Sequence, residues 1–236
     1  VPNSERAHRA VVVGPLLASG PAVAIGVPGA AAPGAVVFYS VSGGATPAVA
    51  CAGILNAPAP TDAAFGEALA VGDFDGDGLP DLLVGAPPNA VYLYRGPLTL
   101  PAVPTATVVK PANSAAFGTS LAALNLDGKK GDEALVGDPE VTLAGVNAAG
   151  DVTVYTGPTL IPLTAPPTAA TVAPMPLVLT DHSPGAGEGY GSAVGGLPFC
   201  GAAPCTAATL TPLPLVGAPG AAFTYFTLGP VDPRVK

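Results

Sequence analysis

The sequence predicts an all-β fold built from repeated units of antiparallel strands. Gly and Pro supply 31 and 30 of the 236 residues, and they separate short runs rich in Val, Leu and Tyr. Such interrupted apolar runs are typical of short strands joined by many turns. One segment of the chain also recurs further along, together with its apolar runs. Helix content is therefore expected to be small.

The repeat is marked by glycines at a fixed spacing. Gly85 lies 19 positions after Gly66 in one copy, and Gly137 lies 19 positions after Gly118 in the next. The two copies are offset by 52 residues. A looser copy ends at Gly217, and a copy at the start of the chain lacks the opening Phe-Gly. The sequence predicts one domain over residues 1–236, with repeats at approximately 7–56, 63–112, 115–180 and 188–236.

Each repeat is expected to contain three or four strands. Residues 91–94 and 152–155 read VYLY and VTVY, which favours strands. Such a unit buries only one face by itself, so neighbouring units are expected to pack face to face, as propeller blades do. Segments 97–106 and 157–176 are expected to be connections. The predicted strands lie near 68–72, 81–85, 90–95 and 105–110 in the second repeat, and near 120–124, 133–137, 151–156 and 171–180 in the third.

Three motifs occur together in the second repeat: Phe65-Gly66, an acidic loop from Asp73 to Asp81, and Gly85-Ala86-Pro87. At these spacings they resemble the FG-GAP repeat, the blade of the β-propeller in integrin α-chains. The resemblance implies a small or partial β-propeller of about four FG-GAP blades, whereas integrin-type propellers have seven. Little chain follows the last apolar run at 223–228, so either a small closed propeller or a partial one completed by another chain is expected.

The acidic loop predicts a calcium site. Four carboxylates this close repel one another strongly unless a cation lies between them. Alternate residues of a tight loop project toward a common centre, and oxygen ligands at this spacing suit Ca²⁺. The expected ligands are the side chains of Asp73, Asp75, Asp77 and Asp81 and the carbonyl group of Leu79. The FG-GAP resemblance implies the same ion.

Other interpretations of the acidic loop are weaker. An EF-hand would need Glu at its twelfth position, where this chain has Val84. The flanking residues 70–71 and 82–84 also favour strands, which excludes the helices of an EF-hand or a dockerin. A solvated acidic turn without a metal is the alternative that stays open.

The corresponding loop of the third repeat has lost the calcium pattern. Its five positions hold Asn125, Asp127, Lys129, Gly131 and Glu133. Lys supplies no oxygen ligand, and its ammonium group neutralises neighbouring carboxylates. This loop is therefore expected to be metal-free.

The fourth repeat has no carboxylate in its loop. Cys200 and Cys205 lie there instead, close enough in sequence to form a disulfide bond. Two free thiols are the alternative, because the geometry of a bridge is not fixed by spacing. Cys51 is left without a partner in either case.

Charge and hydropathy exclude several classes of function. The net charge is −8, the pI is about 4.4, and no basic cluster exceeds Lys129-Lys130, so nucleic acid is not an expected partner. Gly and Pro interrupt the apolar stretches well short of the roughly 18 residues of a membrane helix. The first four residues, VPNS, include no initiator Met, which fits a secreted chain whose signal peptide has been removed and fits a chain shortened in another way equally well.

The FG-GAP resemblance implies an extracellular or cell-surface module, stabilised by calcium, that binds a protein or glycan in adhesion and is not an enzyme. A structural subunit of a larger extracellular assembly, as a homo- or hetero-oligomer, is the alternative, because the blade count is incomplete. A hydrolase on a propeller scaffold is less favoured, since Asp62 is too isolated to pair with the loop aspartates.

Overall fold

The computed structural model describes residues 10–29, 33–43, 48–112, 114–126, 128–156, 170–171, 177–179, 185–200 and 210–218. Every regular element in these residues is a β-strand, which confirms the all-β class. Over the same ranges the protein has no helix of the length and hydropathy needed to cross a membrane. These strands form four sheets, one for each repeat.

Four consecutive strands of each of the first two sheets pair antiparallel in sequence order. The first sheet contains β1 Val11–Leu17, β2 Gly20–Val27, β3 Ala35–Ser42 and β4 Ala48–Asn56. The second contains β5 Leu69–Gly72, β6 Asp81–Ala86, β7 Ala90–Tyr94 and β8 Ala106–Val109.

The later repeats are built from β9 Ser120–Leu124, β10 Glu133–Asp138, β11 Asp151–Tyr155, β12 Ala170–Thr171, β13 Leu177–Leu179, β14 Ala193–Cys200 and β15 Leu210–Gly217. The third sheet has the order β13-β11-β10-β9, and β14 and β15 form an antiparallel hairpin. The strands β5 to β11 begin and end within one residue of the prediction.

The chain around β12 differs from the prediction. Segment 157–176 is predicted to be a connection, whereas Ala170 and Thr171 pair in parallel with β8 and add a fifth strand to the second sheet. Without β12, strand β8 would be the edge of that sheet, and its open backbone groups accept a passing segment. Strand β13 lies within the strand predicted at 171–180, of which residues 172–176 and 180 lie outside the described residues.

The cysteines are partly described. Cys51 is free and exposed on β4, and Cys200 is the last residue of β14. Cys205 and the apolar run at 223–228 lie outside the described residues, so a Cys200–Cys205 disulfide stays a prediction.

The sheets stack face to face along the chain. Strand β5 lies beside β1, β9 lies beside β5, and β14 lies beside β9. One hydrophobic cluster joins the first and second sheets, a second cluster joins the second and third, and a third joins the third sheet and the hairpin. This is the packing predicted for consecutive blades.

The central strand β6 shows why the sheets stack. All six of its residues are buried, and successive side chains of a strand point to opposite faces. Leu82 and Val84 belong to the cluster with the first sheet, whereas Leu83 belongs to the cluster with the third. Both faces of the second sheet are therefore apolar and covered.

The repeats approach one another most closely at pairs of glycines, which we call glycine contacts. The opening glycine of a repeat follows Phe in the second and third repeats and Tyr190 in the fourth. Its carbonyl oxygen lies where a Cβ on the second-strand glycine of the preceding repeat would be. Each opening glycine has φ between 88° and 91°, which residues with a side chain rarely adopt. Its N–H donates to the carbonyl oxygen of the glycine on the second strand of its own repeat, at 2.9–3.0 Å. The three pairs are Gly66 with Gly26, Gly118 with Gly85, and Gly191 with Gly137.

We expect Gly85→Ala to lower the free energy of unfolding by roughly 3 kcal/mol, because its methyl group would overlap the backbone of Gly118 and would force the second and third sheets apart. Gly195→Ala is the matched control: it also lies in a strand, but a Cβ there meets nothing within 4 Å. Urea unfolding followed by circular dichroism measures both variants. Equal stability of the two would contradict the importance of the glycine contact.

Candidate metal centre

The acidic loop, residues 73–80, connects β5 to β6 at one end of the second sheet. Gly76 and Gly78 have φ of 75° and 90°, a left-handed conformation that glycine adopts without steric cost. The backbone therefore curls tightly at this point, and the carboxylates face the loop's own N–H groups.

The acidic loop is held together by hydrogen bonds from its backbone to its side chains. Asp75 Oδ1 accepts from the N–H of Asp77 at 2.9 Å, and Asp77 Oδ1 accepts from the N–H of Leu79 at 2.8 Å. Asp73 Oδ2 accepts from the N–H of Gly78 at 2.9 Å. Asp side chains commonly stabilise turns in this way, and each carboxylate keeps a second oxygen for another partner.

Asp81 fixes the base of the loop. Its side chain is fully buried, and it accepts hydrogen bonds from the N–H of Phe74 at 3.0 Å and of Gly96 at 2.8 Å. Burial raises the pKa of Asp81 to about 6, and the charges of Asp75 and Asp77 act in the same direction. A cation close to Asp81 would favour its ionised form.

Three of the four expected carboxylates converge. Asp73, Asp75 and Asp81 each bring one oxygen within 4.8 Å of the other two. Asp73 Oδ1 is buried and takes part in no hydrogen bond, although a buried polar atom without such a partner costs free energy. Asp75 Oδ2 is also buried, and its partner is the guanidinium group of Arg95. Because Ca²⁺ binds about six to eight oxygen ligands, these residues fit calcium both in ligand type and in spacing.

The other two expected ligands lie nearer the surface. The carboxylate of Asp77 accepts from Leu79 N–H and is not part of the converging group, and the side chain of Leu79 is exposed. Coordination by Asp77 and by the carbonyl group of Leu79 stays a prediction.

Arg95 is also part of this site, and its role is not predictable from the acidic motif. It directly follows β7, and its guanidinium group contacts Asp75 Oδ2 and lies 3.8 Å from Asp77 Oδ2. Arg95 supplies one positive charge beside the three carboxylates of the loop and that of Asp81 at its base. It also contacts one of the oxygens that would bind a metal ion.

The third repeat supports the acidic loop from outside. Asp73 N–H donates to Asp132 Oδ2 at 2.9 Å, and Asp132 N–H donates to the carbonyl group of Asp73 at 2.7 Å. Lys130 packs over the backbone of Gly76. The first candidate ligand is therefore fixed by two hydrogen bonds from the neighbouring repeat.

The corresponding loop of the third repeat is stabilised by its own donors. Asn125 Nδ2 donates to the carbonyl groups of Lys129 at 2.6 Å and Gly131 at 2.9 Å, and Glu133 Oε2 accepts from Leu126 N–H at 2.6 Å. An amide donor thus lies where the second repeat has Asp73. Asp127 lies outside the described residues, and the metal-free state of this loop stays a prediction.

The second repeat is similar to a known repeat family. Residues 65–94 match the family model of the FG-GAP repeat. The FG-GAP match includes the opening Phe, the acidic loop and strands β5 to β7, so the resemblance inferred from the sequence is confirmed for this repeat. Arg95 is the first residue beyond the FG-GAP match. No curated protein was found that matches the chain.

Outside the FG-GAP match, two carboxylates lie directly opposite each other on β10 and β11. They belong to Asp138 and Asp151. Asp138 is buried, and its Oδ1 accepts from the N–H of Ala116 at 3.0 Å. Burial and, to a smaller extent, the charge of Asp138 raise the pKa of Asp151 to about 7. Like charges that face each other in an antiparallel pair destabilise a sheet.

We expect the free energy of unfolding to fall by about 2 kcal/mol between pH 5 and pH 8 because of Asp151. Its pKa in the folded state is about 7, above the ordinary value of 3.8. Between these values the folded state holds a proton that the unfolded state has lost, so stability decreases as pH rises toward 7. Urea unfolding in EGTA at several pH values measures this slope.

Asp151→Asn should reduce that slope and stabilise the protein at pH 8. Asp81 contributes a slope of the same sign, so the informative quantity is the difference between the variant and the wild type. Identical slopes for the two proteins would show that Asp151 is ionised in the folded state at neutral pH.

Proposed function

We propose that the chain is a calcium-stabilised, non-catalytic β-propeller module that works outside the cell or on its surface and binds a protein or glycan partner. The observation that carries the proposal is the convergence of Asp73, Asp75 and Asp81 within the FG-GAP match, where the buried Asp73 Oδ1 takes part in no hydrogen bond. Four carboxylates and one guanidinium group leave an excess of negative charge, which a divalent cation would neutralise.

Calcium would have a structural role in this module. The residues proposed to hold it are Asp73, Asp75, Asp77 and Asp81, together with the carbonyl group of Leu79. Because Asp73 also exchanges two hydrogen bonds with Asp132, an ion held by Asp73 would stabilise the contact between the second and third repeats. Calcium would therefore support the stacking of the blades as well as its own loop.

The remaining buried carboxylates support a binding role over a catalytic one. Asp62 accepts hydrogen bonds from the Tyr92 hydroxyl and from Asn89 Nδ2, and Asp138 accepts from Ala116 N–H. Both carboxylates therefore hold loops in place through hydrogen bonds. The loops at the opposite end of the sheets from the acidic loop, residues 87–89 and 139–150, are the surface that we propose for recognition of a partner.

The second candidate function is that of a structural subunit in a larger assembly. It is favoured by the apolar face that the first sheet turns away from the second, since large exposed apolar patches mark interaction sites.

We expect Ca²⁺ to raise the midpoint of thermal unfolding, and Asp75→Asn to remove most of that rise. A ligand that binds only the folded state adds about 2.7 kcal/mol of stability at 100 times its Kd. Asn at position 75 keeps an oxygen for the N–H of Asp77 but loses the charge that attracts calcium. Calorimetric scans with calcium and with EGTA, together with a calcium titration, measure the effect.

Glu140→Gln is the matched control for this experiment, because it removes one carboxylate charge at an exposed position outside the loop. It should keep the full response to calcium. A calcium response in Asp75→Asn as large as that in Glu140→Gln would place the ion elsewhere, and no response in the wild type would leave the loop as a solvated acidic turn.

We expect Arg95→Gln to bind calcium about tenfold more tightly than the wild type, which corresponds to about 1.4 kcal/mol. The guanidinium group competes with the ion for Asp75 Oδ2. The same substitution should destabilise the calcium-free protein, because the carboxylates lose their counter-charge. Isothermal titration and calorimetry in EGTA measure the two effects.

Arg95→Lys retains the positive charge and is expected to remain close to the wild type in both measurements. Weaker calcium binding by Arg95→Gln would mean that Arg95 orients the loop for the ion and does not compete with it.

A further inference from the structure

The first sheet has an apolar face directed away from the second sheet, which we call the outer face. Side chains alternate along β2 and β3, so that Ala24 and Phe38 point into the cluster with the second sheet and the residues between them point outward. The register aligns these outward residues in rows across the strands. One complete row consists of Val11, Ile25, Val37 and Ile54.

Within the part of the chain that the structure describes, the outer face is open to solvent. Val13 is 67% exposed, Val49 is 65% exposed, Val11 is 58% exposed and Ile54 is 49% exposed. An antiparallel sheet with one solvated face normally carries polar side chains on that face. The outer face instead has the composition of a buried surface, which indicates that something covers it.

The strands that form the outer face carry no charged residue. Between Arg9 and Asp62 the sequence contains no Asp, Glu, Lys, Arg or His. Exposed strands usually carry charged residues, which prevent association between sheets. Because the surface is uncharged, electrostatics does not favour an acidic or a basic partner. Two copies of the surface can pack against each other without charge repulsion.

The equivalent faces of the second and third sheets show one way of covering such a surface. Each is covered by the preceding repeat, and the Phe-Gly pair of the later repeat makes the glycine contact. The fourth repeat makes the same contact through Tyr190-Gly191, so a repeat docked in this way supplies a glycine preceded by an aromatic residue.

The first repeat lacks this docking pair. Gly26 N–H donates to Ala10 O in the first repeat, as Gly85 N–H donates to Ala68 O in the second. By this equivalence, residues 7–8 read Ala-His where the second repeat has Phe-Gly. Stacking on a preceding repeat through a glycine contact is therefore disfavoured, and a contact between two identical faces is favoured.

We propose that the outer face of the β1–β4 sheet is the contact surface of a two-fold symmetric dimer of this chain. Two such faces would pack sheet on sheet, as in a β-sandwich, and a two-fold interface uses the same patch on both subunits. The proposal goes beyond calcium binding and does not depend on it, because the β1–β4 sheet carries no loop carboxylate.

Light scattering after size exclusion, in calcium and in EGTA and over a range of concentrations, tests the dimer on the chain of residues 1–236. The expected mass is twice 22.7 kDa. Val13→Lys and Val49→Lys should each raise the dissociation constant of the dimer on the order of 100-fold, because an ammonium group would be buried without a partner. Both side chains are exposed in one copy, so folding should survive, and circular dichroism checks this.

Val103→Lys is the matched control: Val103 is 75% exposed but lies between β7 and β8, away from the outer face. It should dimerise as the wild type does. A wild-type monomer at all concentrations would mean that another segment or another protein covers the outer face, and it would overturn the proposal. A dimer that survives both outer-face substitutions would do the same. Calcium binding, titrated in the same samples, tests the proposed function separately.

Cys51 gives an independent measurement at the same surface. It is exposed in one copy and lies opposite Tyr39, in the row that also contains Val13 and Val23. With Cys200 and Cys205 replaced by Ser, Cys51 is the one remaining thiol. Its alkylation should slow as the protein concentration rises through the dimer transition. An alkylation rate that stays constant across that transition would place the interface elsewhere and would overturn the proposal.

Discussion

The close approach of glycine backbones between successive repeats is the constraint on which the rest of the structure depends. The absence of a Cβ at Gly26, Gly85 and Gly137 lets the next repeat come near enough for the two apolar sheet faces to share a core. The Phe of the same motif fills that core: Phe65 packs against Tyr92 and Tyr94 with ring centroids 5.7 and 6.4 Å apart. The motif thus supplies both the close approach and the apolar side chain that benefits from it.

The candidate metal centre depends on this stacking. Asp73 has its hydrogen bonds to Asp132 only because the third repeat lies against the second at this distance. The chain directly after β7 supplies Arg95 and Gly96 to the same site, through contacts to Asp75 and Asp81. The acidic loop is therefore held by two other segments of the chain, and its excess negative charge lies at a junction between two sheets.

The sequence predicts most of the fold because Gly and Pro mark the ends of the strands and the repeat supplies a second copy of each boundary. Strands β5 to β11 follow from this local pattern. Strand β12 does not, since a two-residue parallel pairing with β8 depends on where a distant segment passes. The converging aspartates are predictable from their spacing. Most of β6 and the whole of β7 lie between these aspartates and Arg95 in the sequence. The sequence gives little indication of a role for Arg95, because it is an isolated Arg before Gly-Pro in a chain with eight Lys and Arg residues.

A junction made from main-chain atoms places few demands on the side chains around it. Gly191 still meets Gly137, although the fourth repeat has seven more residues between its marker glycines than the second or third. A unit can therefore carry insertions between its marker glycines and still fit its neighbour, provided that it keeps both glycines and an apolar sheet face.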